Sequence, residues 1–146
     1  FSNYSWGPHI KQKSKQTMKK FKQLYWLIGR KSKMSYANKT LIYKTVLVPI
    51  WSYGIELWGC ASASNIKIIQ RTQNKILRAM VDAPWYVTNE TIHRDLEIKT
   101  VNEIIKTRSC SYHNKIDDHS NAEIQIINKM VQTRRLKKKW PKDLQY

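Results

Sequence analysis

The chain has 146 residues, enough for one domain with a real core, and 27 Lys+Arg stand against 10 Asp+Glu, a formal net charge of +17. That imbalance points to a polyanionic partner, and Cys60 and Cys110 are too few for a disulfide framework, which fits a reduced, intracellular setting, nucleus or cytoplasm. The longest uncharged run, Thr45 to Ile55, is too short to span a bilayer and contains Pro49, and the N-terminus lacks the apolar run of a signal peptide.

The charge is unevenly placed. No Asp or Glu precedes Glu56, whereas residues 1–55 hold eleven Lys or Arg. A surface kept basic only for solubility would mix in acids, so the pattern favours a phosphate-bearing partner over idle solvated lysines. The basic residues are not confined to one face of a lipid-seeking helix, so no membrane partner is expected. The sequence begins at Phe1 without an initiator Met, and it is expected to be a piece of something longer.

Residues 1–9 read as a loop or strand end broken at Gly7-Pro8. From Ile10 to Ile28, Met18, Phe21, Leu24, Tyr25 and Ile28 recur at three- and four-residue steps, which predicts an amphipathic helix. Lys11, Lys13, Lys15, Lys19, Lys20 and Lys22 cover much of its remaining surface. Six lysines without a neighbouring acid repel one another, which favours a phosphate-tracking face over a merely solvated one. Gly29 ends this helix, and Arg30, Lys31 and Lys33 crowd the exit turn.

Ser35 is a candidate N-cap for a second helix to about Val48, where Pro49 predicts a kink or break. A further helix is expected through Trp51, Tyr53 and Trp58 to Gly59. These aromatics are expected in the core with Leu41, Val46, Leu47, Ile50 and Ile55, not stacked on bases. Between Ser64 and Val81, Ile66, Ile69, Gln73, Ile76, Leu77 and Met80 share one stripe and Lys67, Arg71, Lys75 and Arg78 another. That second row runs about 16 Å along the helix and suits a backbone groove or an ordinary solvent face.

Ala83-Pro84-Trp85 breaks the helix, and Thr88 or Asn89 caps a short segment to Leu96. Thr100-Val101-Asn102-Glu103 reads as a capping box opening a helix to about Ile116. A turn at Asp117–Asn121 leads to a short apolar helix around Ile124, Ile126 and Ile127. Arg134, Arg135, Lys137, Lys138 and Lys139 close the chain in a charge run expected to be mobile when free.

Several stretches resemble the C-terminal part of reverse transcriptases from LINE-type (non-LTR) retrotransposons, especially the jockey-like insect group. They include Leu24-Tyr25-Trp26-Leu27-Ile28-Gly29-Arg30, Pro49-Ile50-Trp51-Ser52-Tyr53-Gly54-Ile55-Glu56-Leu57-Trp58-Gly59, Ala83-Pro84-Trp85-Tyr86-Val87 and His93-Arg94-Asp95-Leu96. The resemblance covers almost the whole chain and implies the helical thumb of an RNA-directed DNA polymerase together with its adjoining C-terminal segment. In that family the thumb holds the template–primer duplex while the palm adds nucleotides. The sequence departs from the family pattern at Glu97 and Lys99, where a Gly and a Pro are common, and at Ser120, where a Pro often stands.

The chemistry of nucleotide addition is missing. It needs paired carboxylates on two Mg²⁺ ions, which the resemblance places on an aromatic-x-Asp-Asp hairpin of the palm. Asp117-Asp118 lies instead in a turn between predicted helices, so no catalytic residue and no cofactor are assigned, and Mg²⁺ is expected only with the palm. Cys110, His113 and His119 offer three zinc ligands without a clear fourth, so no metal site is expected, and His113 is read as a surface residue. His93 reads as a helix-surface hydrogen-bonding group.

These readings predict an all-α, compact bundle of five or six helices with a basic C-terminal tail. Residues 1–9 would be a palm remnant, 10–128 the helical thumb-like and C-terminal domain, and 129–146 the tail. The expected activity is sequence-independent binding of an RNA or RNA–DNA duplex through phosphate contacts from Lys19, Lys20, Lys22, Arg30, Lys31, Lys33, Lys67, Arg71, Lys75 and Arg78, with the palm of the parent polymerase as protein partner. The competing reading is a transposon-derived structural or protein-interaction module with no nucleic-acid role.

Overall fold

The computed structural model describes residues 5–129, which are all-α, with no strand among them. Residues 1–4 of the expected palm remnant and 130–146 of the expected tail, including the run from Arg134 to Lys139, lie outside the described residues. The helices are α1 (Gly7–Gln23), α2 (Tyr25–Ile28), α3 (Tyr36–Ile42), a π-helical turn (Tyr43–Leu47), α4 (Val48–Ser52), α5 (Ile55–Trp58), α6 (Ala63–Val81), α7 (Asn89–Asp95), α8 (Val101–Asp117) and α9 (Ala122–Lys129).

The chain divides into two compact units. Among the described residues one unit takes in 5–53 and 61–101, the other 54–60 and 102–129. The division falls at Tyr53 and Gly54, inside the stretch expected to form a single core segment. Gly54 sits at φ 68°, a left-handed conformation that costs a residue without a Cβ little.

In the first unit, α1 packs chiefly against α6 and also against α4. The buried apolar residues include Ile10, Phe21, Ile28, Tyr43, Leu47, Trp51, Ile69, Ile76, Leu77 and Met80. Gly7-Pro8, read as a breaker, instead opens α1, because proline near the first helical position loses only an N–H that the helix would leave unpaired. The expected single helix from Ile10 to Ile28 is interrupted at Leu24, whose N–H is shared between the Lys20 and Phe21 carbonyls. Gly29 then ends α2 at close quarters: a Cβ there would come within 2.5 Å of the Tyr25 carbonyl oxygen.

Ser35 caps α3, its hydroxyl accepting from the Asn38 N–H at 3.4 Å. At Pro49, where a kink or break is expected, the regular α-helix gives way to the π turn over Tyr43–Leu47 and helical turns continue after it. Proline at this point removes the N–H that would reach the Thr45 carbonyl and crowds that turn, and widening the turn by one residue relieves both. Trp51 is buried as expected, and Tyr43 is buried too, whereas Tyr53 and Leu41, expected in the core, are exposed. Tyr53 is exposed because α4 ends at Ser52 and the chain turns extended there.

Thr88 caps α7 through the Thr91 N–H at 3.2 Å. The α7 terminus is a Schellman turn: Ile98 N–H donates to the His93 carbonyl and Glu97 N–H to the Arg94 carbonyl, with Glu97 at φ 52°. The chain thus makes, with glutamate, the left-handed turn in which glycine is the usual residue. α8 begins directly after Thr100, and its Val101 N–H donates to Gln70 Oε1 of α6 at 2.9 Å.

In the second unit, Ile55, Trp58 and Ile105 are buried. Asn121 opens α9, its Oδ1 accepting from the Glu123 N–H at 2.9 Å.

Candidate nucleic-acid interface

A helix advances by about 100° per residue, so residues spaced four, four and three apart fall within an arc of about 80°. On α1, Lys11, Lys15, Lys19 and Lys22 have that spacing. All four are exposed and none has a hydrogen-bond or ion-pair partner among the described residues. On α6, Lys67, Arg71, Lys75 and Arg78 repeat the same four-four-three spacing. Lys67, Arg71 and Lys75 are exposed and likewise without a partner among the described residues.

The two rows face the same way. Ser14 Oγ meets Thr72 Oγ1 at 2.6 Å, and Gly7 lies against Asn65, where an added Cβ would stand 3.5 Å from Asn65 Oδ1. Both pairs advance together from 7 to 14 and from 65 to 72, so α1 and α6 run parallel with their starts level. Ser14 and Gly7 sit about 90° round α1 from its row in one sense, and Thr72 and Asn65 sit about 110° round α6 from its row in the other. For parallel helices touching through those residues, opposite offsets of this kind turn both rows to one side. The opposite side carries the core: Lys13, Phe21, Ile69, Ile76 and Met80 are all buried.

The expected site residues therefore divide. Lys19 and Lys22 belong to the α1 row, together with Lys11 and Lys15, which count towards the expected phosphate-tracking face of this helix but not among the expected contact residues. Lys20 lies about 145° from the row centre, on the far flank of α1 towards its buried side, and is half-buried. The missed signal was angular: the spacing recognised between 67 and 78 is also present between 11 and 22.

Two lysines turn inward. Lys13 is buried and donates to the Ile50 carbonyl at 3.3 Å, with its ammonium 5.3 Å from the centre of the Tyr53 ring. Burial lowers its pKa below the ordinary lysine value. Lys39 is 2% exposed and donates to the Gly29 carbonyl at 2.9 Å and to the Met80 carbonyl at 3.2 Å. A cation at the carbonyl ends of two helical segments also complements their dipoles.

Arg30 and Lys33 line an open cleft of about 180 Å³ beside Tyr36, Lys39, Met80 and Asp82, at the end of α6. Arg30 donates to the Tyr25 hydroxyl at 3.1 Å and lies 3.8 Å from Asp82, contacts that raise its pKa further. Lys31 is exposed with no partner among the described residues. Arg78 is held by the chain itself. Its guanidinium donates to Asn89 Oδ1 at 2.8 Å, to the Pro84 carbonyl at 3.2 Å and to the Val87 carbonyl.

Two histidines expected at the surface are buried. His93 bonds through Nδ1 to the Ile98 carbonyl at 2.8 Å and lies 3.0 Å from Asn74 Oδ1 through Nε2, tying α7 to α6. His113, in the second unit, is 6% exposed. Among the described residues no three His, Cys, Asp or Glu side chains are grouped to hold a metal ion. Asp117 is the last residue of α8 and Asp118 follows it. No helix among the described residues is long and apolar enough to cross a membrane.

No protein-family model matches the chain, and no solved structure does. Curated proteins do. The chain is 42% identical over 120 residues to a probable RNA-directed DNA polymerase from transposon X-element of Drosophila melanogaster, covering 82% of this chain and 13% of that protein. It is 38% identical over 135 residues to one from transposon BS of the same fly, covering 92% and 15%. The RNA-directed DNA polymerase from mobile element jockey of Drosophila funebris is 30% identical over 131 residues, covering 84% and 14%. The chain thus spans only a small part of the length of the curated relatives it matches. By this likeness over most of its own length, the chain belongs to the family of jockey-like, non-LTR retrotransposon RNA-directed DNA polymerases.

Proposed function

We propose that this chain is a thumb-side, non-catalytic part of a mobile-element reverse transcriptase, and that it grips the template–primer, an RNA or RNA–DNA duplex, by its phosphates. The twin row on α1 and α6 is the observation that carries the reading. Successive cations in each row are about 6 Å apart along the helix, and packed helix axes lie about 8–10 Å apart. The result is a broad basic strip rather than a single line of charge. Such a strip meets a duplex backbone on neighbouring phosphates without reading base edges, so binding is sequence-independent. Arg30, Lys31 and Lys33 extend the positive field at the α2–α3 turn. Nucleotide addition then belongs to the palm of the parent polymerase and to its metal ions, and that palm is the protein partner.

Fluorescence anisotropy with RNA–DNA duplexes of unrelated sequence, repeated from low to physiological salt, tests this reading. Equal affinities across sequences are expected, with log affinity falling against log salt by roughly 0.9 per phosphate contact. A nearly flat salt dependence, or a strong preference for one sequence, would count against it.

A further inference from the structure

Trp85 and Tyr86 are the central residues of a tight turn, closed by the Val87 N–H donating to the Pro84 carbonyl at 3.1 Å. They are 91% and 69% exposed, with their rings edge-to-face, centres 5.9 Å apart. Both arms of the turn are fixed, because the Arg78 guanidinium takes the Pro84 and the Val87 carbonyls and also Asn89 Oδ1 at the start of α7. A large apolar pair is normally buried or left on a loop free to fold over it. Here the chain spends its one row arginine nearest the turn on holding the pair out in water.

Arg78 is the last member of the α6 row and lies within the same 80° arc as Lys67, Arg71 and Lys75. The turn it holds therefore stands at the end of the cation row, on the row's own side of the helix. A strand whose phosphates follow Lys67, Arg71 and Lys75 runs directly towards two exposed aromatic faces. Aromatic side chains beside a basic track are the arrangement that stacks unpaired bases regardless of sequence, since every base offers a π-face.

We infer that Trp85 and Tyr86 form a stacking platform for an unpaired nucleobase, where a single strand leaves the duplex gripped by the two cation rows. The inference rests on the phosphate-binding reading above and adds the place where paired and unpaired nucleic acid are told apart. The rows hold the backbone, and the turn captures the first splayed base. Arg78 acts as a positioning residue that fixes the turn.

The test uses the 146-residue chain with two probes, a blunt RNA–DNA duplex and the same duplex carrying a single-stranded overhang with 2-aminopurine as its first unpaired base. The overhang is expected to bind more tightly than the blunt duplex, with quenching of the 2-aminopurine fluorescence on stacking. Trp85→Ala with Tyr86→Ala is expected to abolish the quenching and to cost roughly tenfold or more in overhang affinity, the range for losing a stacked base, with blunt-duplex affinity unchanged. Both side chains are exposed, and an unaltered far-ultraviolet circular dichroism spectrum checks the fold. Equal binding of both probes by the unaltered chain, or equal loss on both in the double variant, overturns the platform while leaving the phosphate grip intact. Failure of the unaltered chain to bind the blunt duplex overturns the grip itself, and the platform with it.

Discussion

The cations on the outer side of the α1–α6 pair and those beneath it differ in position by a few residues and in role completely. Lys11, Lys15, Lys19 and Lys22 stand in water without partners among the described residues, whereas Lys13, on the same helix, reaches inward to the Ile50 carbonyl. Lys39 goes further, joining Gly29 to Met80 across two elements. The lesson is that charge count says little about a basic helix, and angular position says much. An outward lysine is available to a ligand, while an inward one satisfies carbonyls that the end of a helix has left unpaired.

If this contrast is right, inward substitutions should cost stability and outward ones should not. The largest effect is expected at Lys39→Met, which leaves the buried Gly29 and Met80 carbonyls without that donor. A loss of up to about 3 kcal/mol in unfolding free energy is expected, from roughly 1–3 kcal/mol for the Met80 carbonyl left unsatisfied, since the Gly29 carbonyl keeps the Ser32 N–H at 3.1 Å. Urea unfolding measures it, and a variant as stable as the parent would mean the ammonium does no structural work there.

Next comes the buried phenol of Tyr43. Burial pushes its pKa from 10.0 up to about 12, against the smaller lowering effect of Gln73 and Trp51 beside it. The fold thus favours the neutral form. That stability is fully present below pH 10 and is lost as pH rises through about 12, by roughly 3 kcal/mol at 1.36 kcal/mol per pKa unit. Unfolding of the parent and of Tyr43→Phe between pH 9 and pH 12 should therefore diverge, the parent weakening more steeply. Parallel curves would show that the hydroxyl is not protected. The smallest effect is expected outside: replacing Lys11, Lys15, Lys19 and Lys22 together by Gln should change stability by less than about 1 kcal/mol, with any change favourable, because like charges at four-residue steps repel. A large destabilisation would place those lysines in the packing.

Much of this was legible in the chain. Ser35 and Thr88 announce their helices as caps, Gly29 marks an end, and the α6 row follows from spacing alone. Local chemistry of that kind needs no tertiary information. The parallel docking of α1 on α6 does need it, and with it the fact that the two rows share a side. Pro49 marks an irregular point in the helix, but that it takes the form of a π turn ahead of the proline is something residue type alone does not reveal. Leu41 and Tyr53 look like core by composition, yet where α4 stops decides that Tyr53 meets water. His93 and His113 sit among polar neighbours in sequence and are buried by packing from distant residues.

The most direct measurement compares how salt weakens heteroduplex binding in three proteins: the parent, the variant with Lys11, Lys15, Lys19 and Lys22 changed to Gln, and Lys20→Gln on the flank of the same helix. The slope of log affinity against log salt should fall by roughly 3–4 in the row variant, at about 0.9 per phosphate contact, and hardly at all in the flank variant. A row variant with the parent's slope, or a flank lysine that matters as much as each row lysine, would contradict a phosphate grip built on one face of the α1–α6 pair.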